Sequence, residues 1–192
     1  MQQQKNDDEI LRVMRHSCAH LMASAVQELY PDAQFGVGPV IENGFFYDIS
    51  LSAPLTTEDL PRIEERMKEI QARKEEYARS MWGIDTAIAY FKDHSQAFKV
   101  ELLNDLKTKG TTVMKDLKEM EETLGTDQVD EVSVYTTGKF VDLCRGPHVN
   151  TTGEIGVFKL LSIAGAYWRG DEKNKQLTRL YGTCFKTQAE LD

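Results

Sequence analysis

The chain has few cysteines and no long apolar run, and each shortage excludes a class of protein. Three cysteines, an odd number, do not make a disulfide framework in a chain of 192 residues. The longest apolar run is too short to cross a bilayer, and the polar start contains no signal-peptide core. We therefore predict a reduced protein of the cytoplasm.

Basic side chains are also in deficit, which limits the partners that the chain can bind. Lys and Arg number 23 against 31 Asp and Glu, which gives a net charge of −8. General binding to a nucleic-acid backbone needs a basic surface, so the composition argues against it. The argument does not apply to a site that accepts only one end of an RNA strand when a larger assembly brings that RNA to the site.

Two short motifs contain most of the histidine and cysteine that the chain does have. They are His16-Ser-Cys-Ala-His20 and Cys144-Arg-Gly-Pro-His148, and together they use three of the four histidines and two of the three cysteines. Imidazole and thiolate are the ligands that zinc prefers, and both groups can transfer protons. If the fold brings the two motifs together, they form a reactive pocket.

Hydrophobic periodicity predicts an α+β fold, a mostly antiparallel β-sheet packed by helices. Asn43-Gly44 between two β-rich runs is a strong hairpin signal, and Thr56 with Asp59 predicts a capped helix that reaches about Glu76. Other helices are predicted from Asp7 or Asp8 to about Tyr30, over 86–91 and over 97–106. Strands are predicted over 132–135, 139–143, 158–163, 167–169 and 176–181.

These elements determine which motif residues share a face. His16 and His20 are four residues apart on a helix, so they differ by only about 40° in direction. Cys18 points elsewhere, and we expect it to pack. Asp142 and Cys144 share one face of a strand, and the Gly-Pro turn that follows can bring His148 back beside Cys144.

Three kinds of chemistry remain open for such a cluster. Four protein ligands close a tetrahedral zinc and make it structural, whereas a catalytic zinc needs an open position. The same groups can instead hold water directly, with a histidine as general base. The simplest alternative is a buried, hydrogen-bonded histidine pair and an unrelated packed cysteine.

Five longer strings, in this order and rough spacing, closely resemble the editing domain of bacterial threonyl-tRNA synthetases. They are Arg15-His-Ser-Cys-Ala-His-Leu21, Gly38-Pro-Val-Ile-Glu-Asn-Gly-Phe-Phe-Tyr-Asp48, Val141-Asp-Leu-Cys-Arg-Gly-Pro-His148, Ala164-Gly-Ala-Tyr-Trp-Arg-Gly-Asp171 and Arg179-Leu-Tyr-Gly182. The resemblance runs from about residue 9 to the end. It implies one editing domain over 9–192. The polar start predicts a disordered lead-in over 1–8, and the weakly patterned, Lys-, Glu- and Thr-rich stretch over 107–130 predicts a mobile or partly helical insertion.

The resemblance implies an aminoacyl-tRNA deacylase. In that family the editing domain hydrolyses the ester that joins serine to the 3′ end of tRNA(Thr), so this RNA end and the aminoacylation core are the expected partners. Serine and threonine differ by one methyl group, and a pocket gains only ~1–3 kcal/mol from such a difference, which is why a second, hydrolytic sieve is needed. Strings typical of the aminoacylation core are missing, so we expect no activation of threonine by this chain.

Site residues follow from the resemblance position by position. His16 is assigned to activation of water, while His20, Cys144 and His148 shape the pocket and hold water or metal. Lys99 matches the catalytic lysine, which orients water or stabilises the oxyanion; its alternative is an ordinary surface lysine.

The remaining positions are expected to bind the substrate. Asp142 matches the aspartate for the substrate ammonium, Tyr47 matches a wall of the pocket, and Gly38 and Pro39 bring backbone close to the ligand. Tyr167, Trp168 and Arg169 are expected either to form a surface for the RNA end or to belong to the core.

Two further functions stay open at this point. The His-x-x-x-His and Cys-x-x-x-His pattern is shared with alanyl-tRNA synthetase editing domains, which implies an editor of seryl- or glycyl-tRNA(Ala). A non-catalytic, zinc-stabilised module for tRNA docking is the other alternative. We expect no obligatory cofactor, with zinc as an optional ligand of His16, His20, Cys144 and His148.

Overall fold

A computed structural model describes residues 2–109 and 130–192. The helices are α1 (Gln2–Leu29), α2 (Leu60–Arg73), α3 (Ile84–Asp93) and α4 (Ala97–Lys109), with a last short helix at Gln188–Leu191. The strands are β1 (Gln34–Phe35), β2 (Val40–Ile41), β3 (Gly44–Ser50), β4 (Ala78–Gly83), β5 (Glu131–Thr137), β6 (Phe140–Leu143), β7 (Val157–Tyr167) and β8 (Gln176–Phe185).

The strands form two sheets, and every pairing in them is antiparallel. The larger sheet has the order β1-β3-β8-β7, with β2 also paired to β3, and the smaller has the order β4-β5-β6. The α+β prediction is therefore confirmed. Strand β4 was not predicted, because four of its six residues are exposed and no apolar run marks it.

The long helix α1 is the centre of the larger core. It packs against α2 and against β3 and β8, and residues 14–26 are buried on every side. A second core lies around α3 and α4. None of the helices in the two described ranges combines the length and the apolar character that a membrane crossing needs.

Several predicted boundaries need correction. Helix α1 begins at Gln2, so residues 2–8, expected as a disordered lead-in, continue the helix into solvent. Helix α2 ends at Arg73, because Lys74 adopts a left-handed conformation with φ of 53°. Residues 167–169 are not a separate strand, since β7 runs unbroken to Tyr167 and Trp168–Gly170 form a 3-10 turn.

Local signals at the hairpin and the cap are confirmed. β2 and β3 form a hairpin in which Ile41 pairs with Gly44 and Asn43 takes a φ of 60°. Thr56 and Asp59 form a capping box ahead of α2. Most of the insertion predicted over 107–130 lies outside the described residues.

Candidate active site

The buried segment of α1 contains polar side chains that a purely structural helix would avoid. His16 is 6% exposed, His20 is 3% exposed and Ser17 is fully buried. Burial of a polar group costs free energy unless the group is hydrogen-bonded. The partners of these three side chains therefore define the site.

Helix α1 and the end of β6 bring the two motifs together. Cys144 follows β6 directly, and the chain then turns through a cis Gly146–Pro147 peptide. Cys144 Sγ lies 3.5 Å from His16 Nε2 and 3.4 Å from His148 Nε2. With His20 added, the four potential ligand atoms lie within 4.8 Å of one another.

Hydrogen bonds fix the tautomers of two rings in this cluster. His16 Nδ1 lies 3.2 Å from the carbonyl of Pro147, which can only accept, so Nδ1 carries the proton and Nε2 presents its lone pair. The Ser17 hydroxyl donates to the carbonyl of Val13 and accepts from the backbone N–H of Val149. Since Ser17 has one proton, its 3.0 Å contact with His148 Nδ1 is donated by the ring.

The third ring has the opposite orientation. His20 Nε2 lies 3.4 Å from Asp142 Oδ2, a carboxylate oxygen that can only accept. The lone pair of His20 therefore lies on Nδ1, a buried atom for which the described residues supply no hydrogen-bond partner. Each of the three imidazoles thus keeps one unprotonated nitrogen.

A buried ion pair lies next to the histidines. Lys99 on α4 is 2% exposed, and its Nζ is 2.6 Å from Asp142 Oδ1, 2.6 Å from the carbonyl of Gly36 and 3.1 Å from the hydroxyl of Tyr47. The Tyr47 hydroxyl donates to Asp142 Oδ2 at 2.6 Å. The alternative of a surface lysine at position 99 is therefore wrong.

Burial and these charges set the protonation states. Burial lowers the pKa of His16 to about 3 and that of His20 to about 4, although the charge of Asp142 opposes the shift at His20. Burial likewise lowers the pKa of His148 well below its ordinary value and raises the pKa of the Cys144 thiol. At neutral pH the four groups are therefore neutral.

The carboxylate behaves differently because it has a cation beside it. Burial favours a higher pKa for Asp142, but the charge of Lys99, the neighbouring His20 and the hydrogen bonds from Lys99 and Tyr47 outweigh burial, so its pKa is lowered. Burial and the nearby Asp142 raise the pKa of Tyr47 well above the usual range. The pair is thus an ammonium facing a carboxylate, with a neutral phenol between them.

These groups surround a small hollow. Its wall includes His16, His20, Tyr47, Lys99 and Cys144, and its free space of about 10 Å³ is close to that of one water molecule. His16 also lines a much larger cavity, of about 370 Å³.

The glycine-rich segment ahead of β2 passes along this wall. Gly38 lies against the ring of Tyr47, where an added Cβ would come within 2.3 Å of a ring carbon. Pro39 is buried behind Gly38, and its carbonyl accepts from the backbone N–H of Phe46. Gly38 therefore adjoins the hollow, while Pro39 supports the hairpin.

Two neighbouring residues, Cys18 and Trp168, belong to the core. Cys18 packs in the core, fully buried against Cys184. Trp168 is 3% exposed, packs on Phe98 and donates to Glu101, so it belongs to the core and not to a surface for RNA.

Sequence reasoning did not single out three residues that shape the site. Ser17 fixes the tautomer of His148, and its position inside the first motif was the only signal available. Tyr77 stacks on His148 at 4.9 Å and donates to the carbonyl of Ser17, while Tyr135 meets the same ring edge-on at 4.4 Å. Nothing in the local sequence connects these tyrosines with His148.

Comparison with known proteins places this geometry in a family context. Residues 132–181 match the profile described as threonyl and alanyl tRNA synthetase second additional domain. The threonine–tRNA ligases of Rhizobium johnstonii, of Janthinobacterium sp. (strain Marseille) and of Pelobacter propionicus are each 48% identical to the chain, over 189, 186 and 184 residues. The chain is homologous to one segment of the threonine–tRNA ligases.

This segment is a minor part of those enzymes. The alignments cover 98%, 97% and 96% of the chain but only 26% of each relative. The resemblance to threonyl-tRNA synthetases is confirmed at this level. The profile match includes Asp142, Cys144 and His148, whereas His16 and Lys99 lie in the part matched only by the ligases.

Proposed function

We propose that the chain is the post-transfer editing domain of a threonyl-tRNA synthetase and hydrolyses the ester of seryl-tRNA(Thr). One observation carries the proposal: the neutral imidazoles of His16 and His20 line one water-sized hollow beside a buried ammonium. Ester hydrolysis requires a held water and a positive group at the developing oxyanion. The homology to threonine–tRNA ligases supplies the class of substrate.

His16 is the proposed group that orients the attacking water. His16 lines both the hollow and the larger cavity, and its low pKa keeps Nε2 unprotonated at neutral pH. A low pKa also makes it a weak base, so its main contribution is to hold and align the water. His20, through Nδ1, is proposed as the second acceptor. Cys144 completes the wall of the hollow, and His148 supports Cys144 through the contact with its Sγ.

Lys99 is proposed to stabilise the oxyanion and Asp142 to bind the substrate ammonium. A carboxylate offers about four acceptor positions, and Lys99, Tyr47 and His20 use three of them. One position therefore remains for the amino group of serine. Tyr47, held by Gly38 from behind, is the proposed wall that crowds the extra methyl group of threonine, with Pro39 fixing the hairpin that carries Gly38.

Zinc fits the donor set, and we propose that hydrolysis does not require it. Sγ–Nε2 distances of 3.4 and 3.5 Å and the unpartnered Nδ1 of His20 suit a tetrahedral ion held by His16, His20, Cys144 and His148. Held by all four side chains, zinc would be closed and structural; with one of the four positions open, it would supply a Lewis acid that acidifies water. Metal analysis of protein purified without chelator tests the proposal: stoichiometric zinc whose removal abolishes hydrolysis would contradict it.

A deacylation assay with separately charged tRNAs tests the function. We expect faster hydrolysis of Ser-tRNA(Thr) than of Thr-tRNA(Thr), and little hydrolysis of Ser-tRNA(Ala) or Gly-tRNA(Ala). Preference for the tRNA(Ala) substrates would indicate an alanyl-type editor. No hydrolysis of any substrate, together with unfolding on chelation, would indicate the zinc-stabilised docking module.

A further inference from the structure

The larger cavity beside His16 has features that the hydrolytic cluster does not use. Its volume of about 370 Å³ lies in the range of small-ligand sites, whereas the hollow has room for about one water. The cavity is lined by His16 and Gly146 and also by Arg15, Val40 and Ile41. Whatever brings an ester to His16 must place most of its bulk here.

Arg15 is an unusual cation within this cavity. It is 8% exposed, its Nε donates to the carbonyl of Cys184 at 3.2 Å, and its guanidinium lies 4.9 Å from the ring centre of Phe185. Throughout 2–109 and 130–192, no carboxylate forms an ion pair with it. A buried charge without a counter-charge is costly, which favours a site that an anion completes.

The other charges of the cavity restrict the size of that anion. Asp8 and Glu42 also line the cavity, and the nearby Arg12 is paired with Glu9 at 3.2 Å. Two carboxylates and two guanidiniums give no strongly basic surface, in keeping with the net charge of −8. Such a cavity suits one phosphate and repels an extended backbone.

We propose that Arg15 binds the phosphodiester between the last two nucleotides of an RNA strand whose aminoacylated 3′ end reaches His16. The proposal rests on the proposed function, because an aminoacylated RNA end carries this phosphate at its last nucleotide. Arg15 immediately precedes His16 on α1, and both line the same cavity. A guanidinium is well matched to phosphate oxygens, and Val40 and Ile41 offer an apolar wall for the sugar and base.

The competing explanation is structural. The hydrogen bond from Arg15 to Cys184 connects α1 with β8, so a substitution could act through the fold alone. A ligand that carries the phosphate must therefore be compared with one that lacks it.

NMR titrations of the full chain with the dinucleotide CpA and with adenosine make this comparison. The wild type should bind CpA about tenfold more tightly than adenosine, with the affinity for CpA falling with salt at a log–log slope of about −0.7. Arg15→Ala should bind both ligands equally and lose the salt slope, while Arg15→Lys should retain part of the preference. Arg62→Ala is the matched control: Arg62 lies on α2 against the ring of Tyr30, so this variant also loses one positive charge and should behave as the wild type.

The outcomes separate this inference from the proposed function. A folded Arg15→Ala variant that still prefers CpA, or a wild type that binds the two ligands equally, would overturn the phosphate site. Equal losses for CpA and adenosine in Arg15→Ala would assign Arg15 a structural role and also overturn it. A chain that binds CpA through Arg15 but hydrolyses no aminoacyl-tRNA would retain the phosphate site and contradict only the editing activity.

Discussion

Replacement of Lys99 by methionine tests the buried ion pair on which the oxyanion proposal depends. Met has a similar length but no charge, so Lys99→Met leaves Asp142 buried without its cation. Both side chains are 3% exposed and the pair is 2.6 Å apart. Removal of one partner from a buried pair typically costs about 3–5 kcal/mol. We expect a loss of this size in the free energy of unfolding at pH 7, together with loss of hydrolysis.

The same variant has a predictable dependence on pH. In the wild type the lowered pKa of Asp142 gives stability that is present above the unfolded value of 3.8 and is lost as pH falls through the folded value. In Lys99→Met, burial without the cation should raise the folded pKa above 3.8, so the folded state takes up a proton as pH falls. The stability difference between variant and wild type should therefore shrink from pH 7 towards pH 4.

Urea unfolding followed by circular dichroism measures both effects. The double variant Lys99→Met with Asp142→Asn removes both charges and should be more stable than the sum of the two single losses predicts, because no unpaired charge remains. A loss below about 1 kcal/mol for Lys99→Met, with no dependence on pH, would refute the reasoning. It would mean that the pair is solvated and that Lys99 cannot act as a preorganised cation.

Two further predictions concern α1. Ser17→Ala should leave the proton on His148 Nδ1 without an acceptor and lower the free energy of unfolding by about 1–3 kcal/mol. The ¹⁵N resonances of the ring should then shift towards the other tautomer, whereas Ser24→Ala, at another buried serine of α1, should leave them in place. Unchanged ring resonances in Ser17→Ala would contradict the assignment. Burial lowers the pKa of His16 to about 3 and that of His20 to about 4, so on acidification each ring takes up its proton in the unfolded state before it does so in the folded state. As pH falls from about 6.5 towards these values, the free energy of unfolding should therefore decrease by about 1.4 kcal/mol per pH unit for each ring. His16→Gln should reduce that slope in urea unfolding between pH 7 and pH 5, and a slope equal to the wild type would show that His16 is not buried as a neutral ring.

Signals within a few residues predicted the local structure well. The helical spacing of His16 and His20 placed both rings on one face, Asn43-Gly44 marked a hairpin, and Thr56 with Asp59 marked the start of α2, because these patterns depend on backbone geometry over one or two turns. Where local signals were weak, prediction failed. Strand β4 has no apolar run, and the start of α1 is polar and exposed. Because neither segment buries one face, neither shows the hydrophobic periodicity from which a strand or helix is predicted.

The sequence by itself determined which side chains were available: three imidazoles, a thiol, a lysine and an aspartate, carried on short motifs whose spacing sets their direction. Only the tertiary structure decided that α1, α4 and the end of β6 converge, since contacts between residues more than a hundred positions apart depend on how sheets and helices pack. That packing also decided the chemistry, because burial makes the histidines neutral and gives Lys99 a carboxylate partner. Ser17, Tyr77 and Arg15 acquire their roles in the same way, from partners that no local pattern in the chain connects with them.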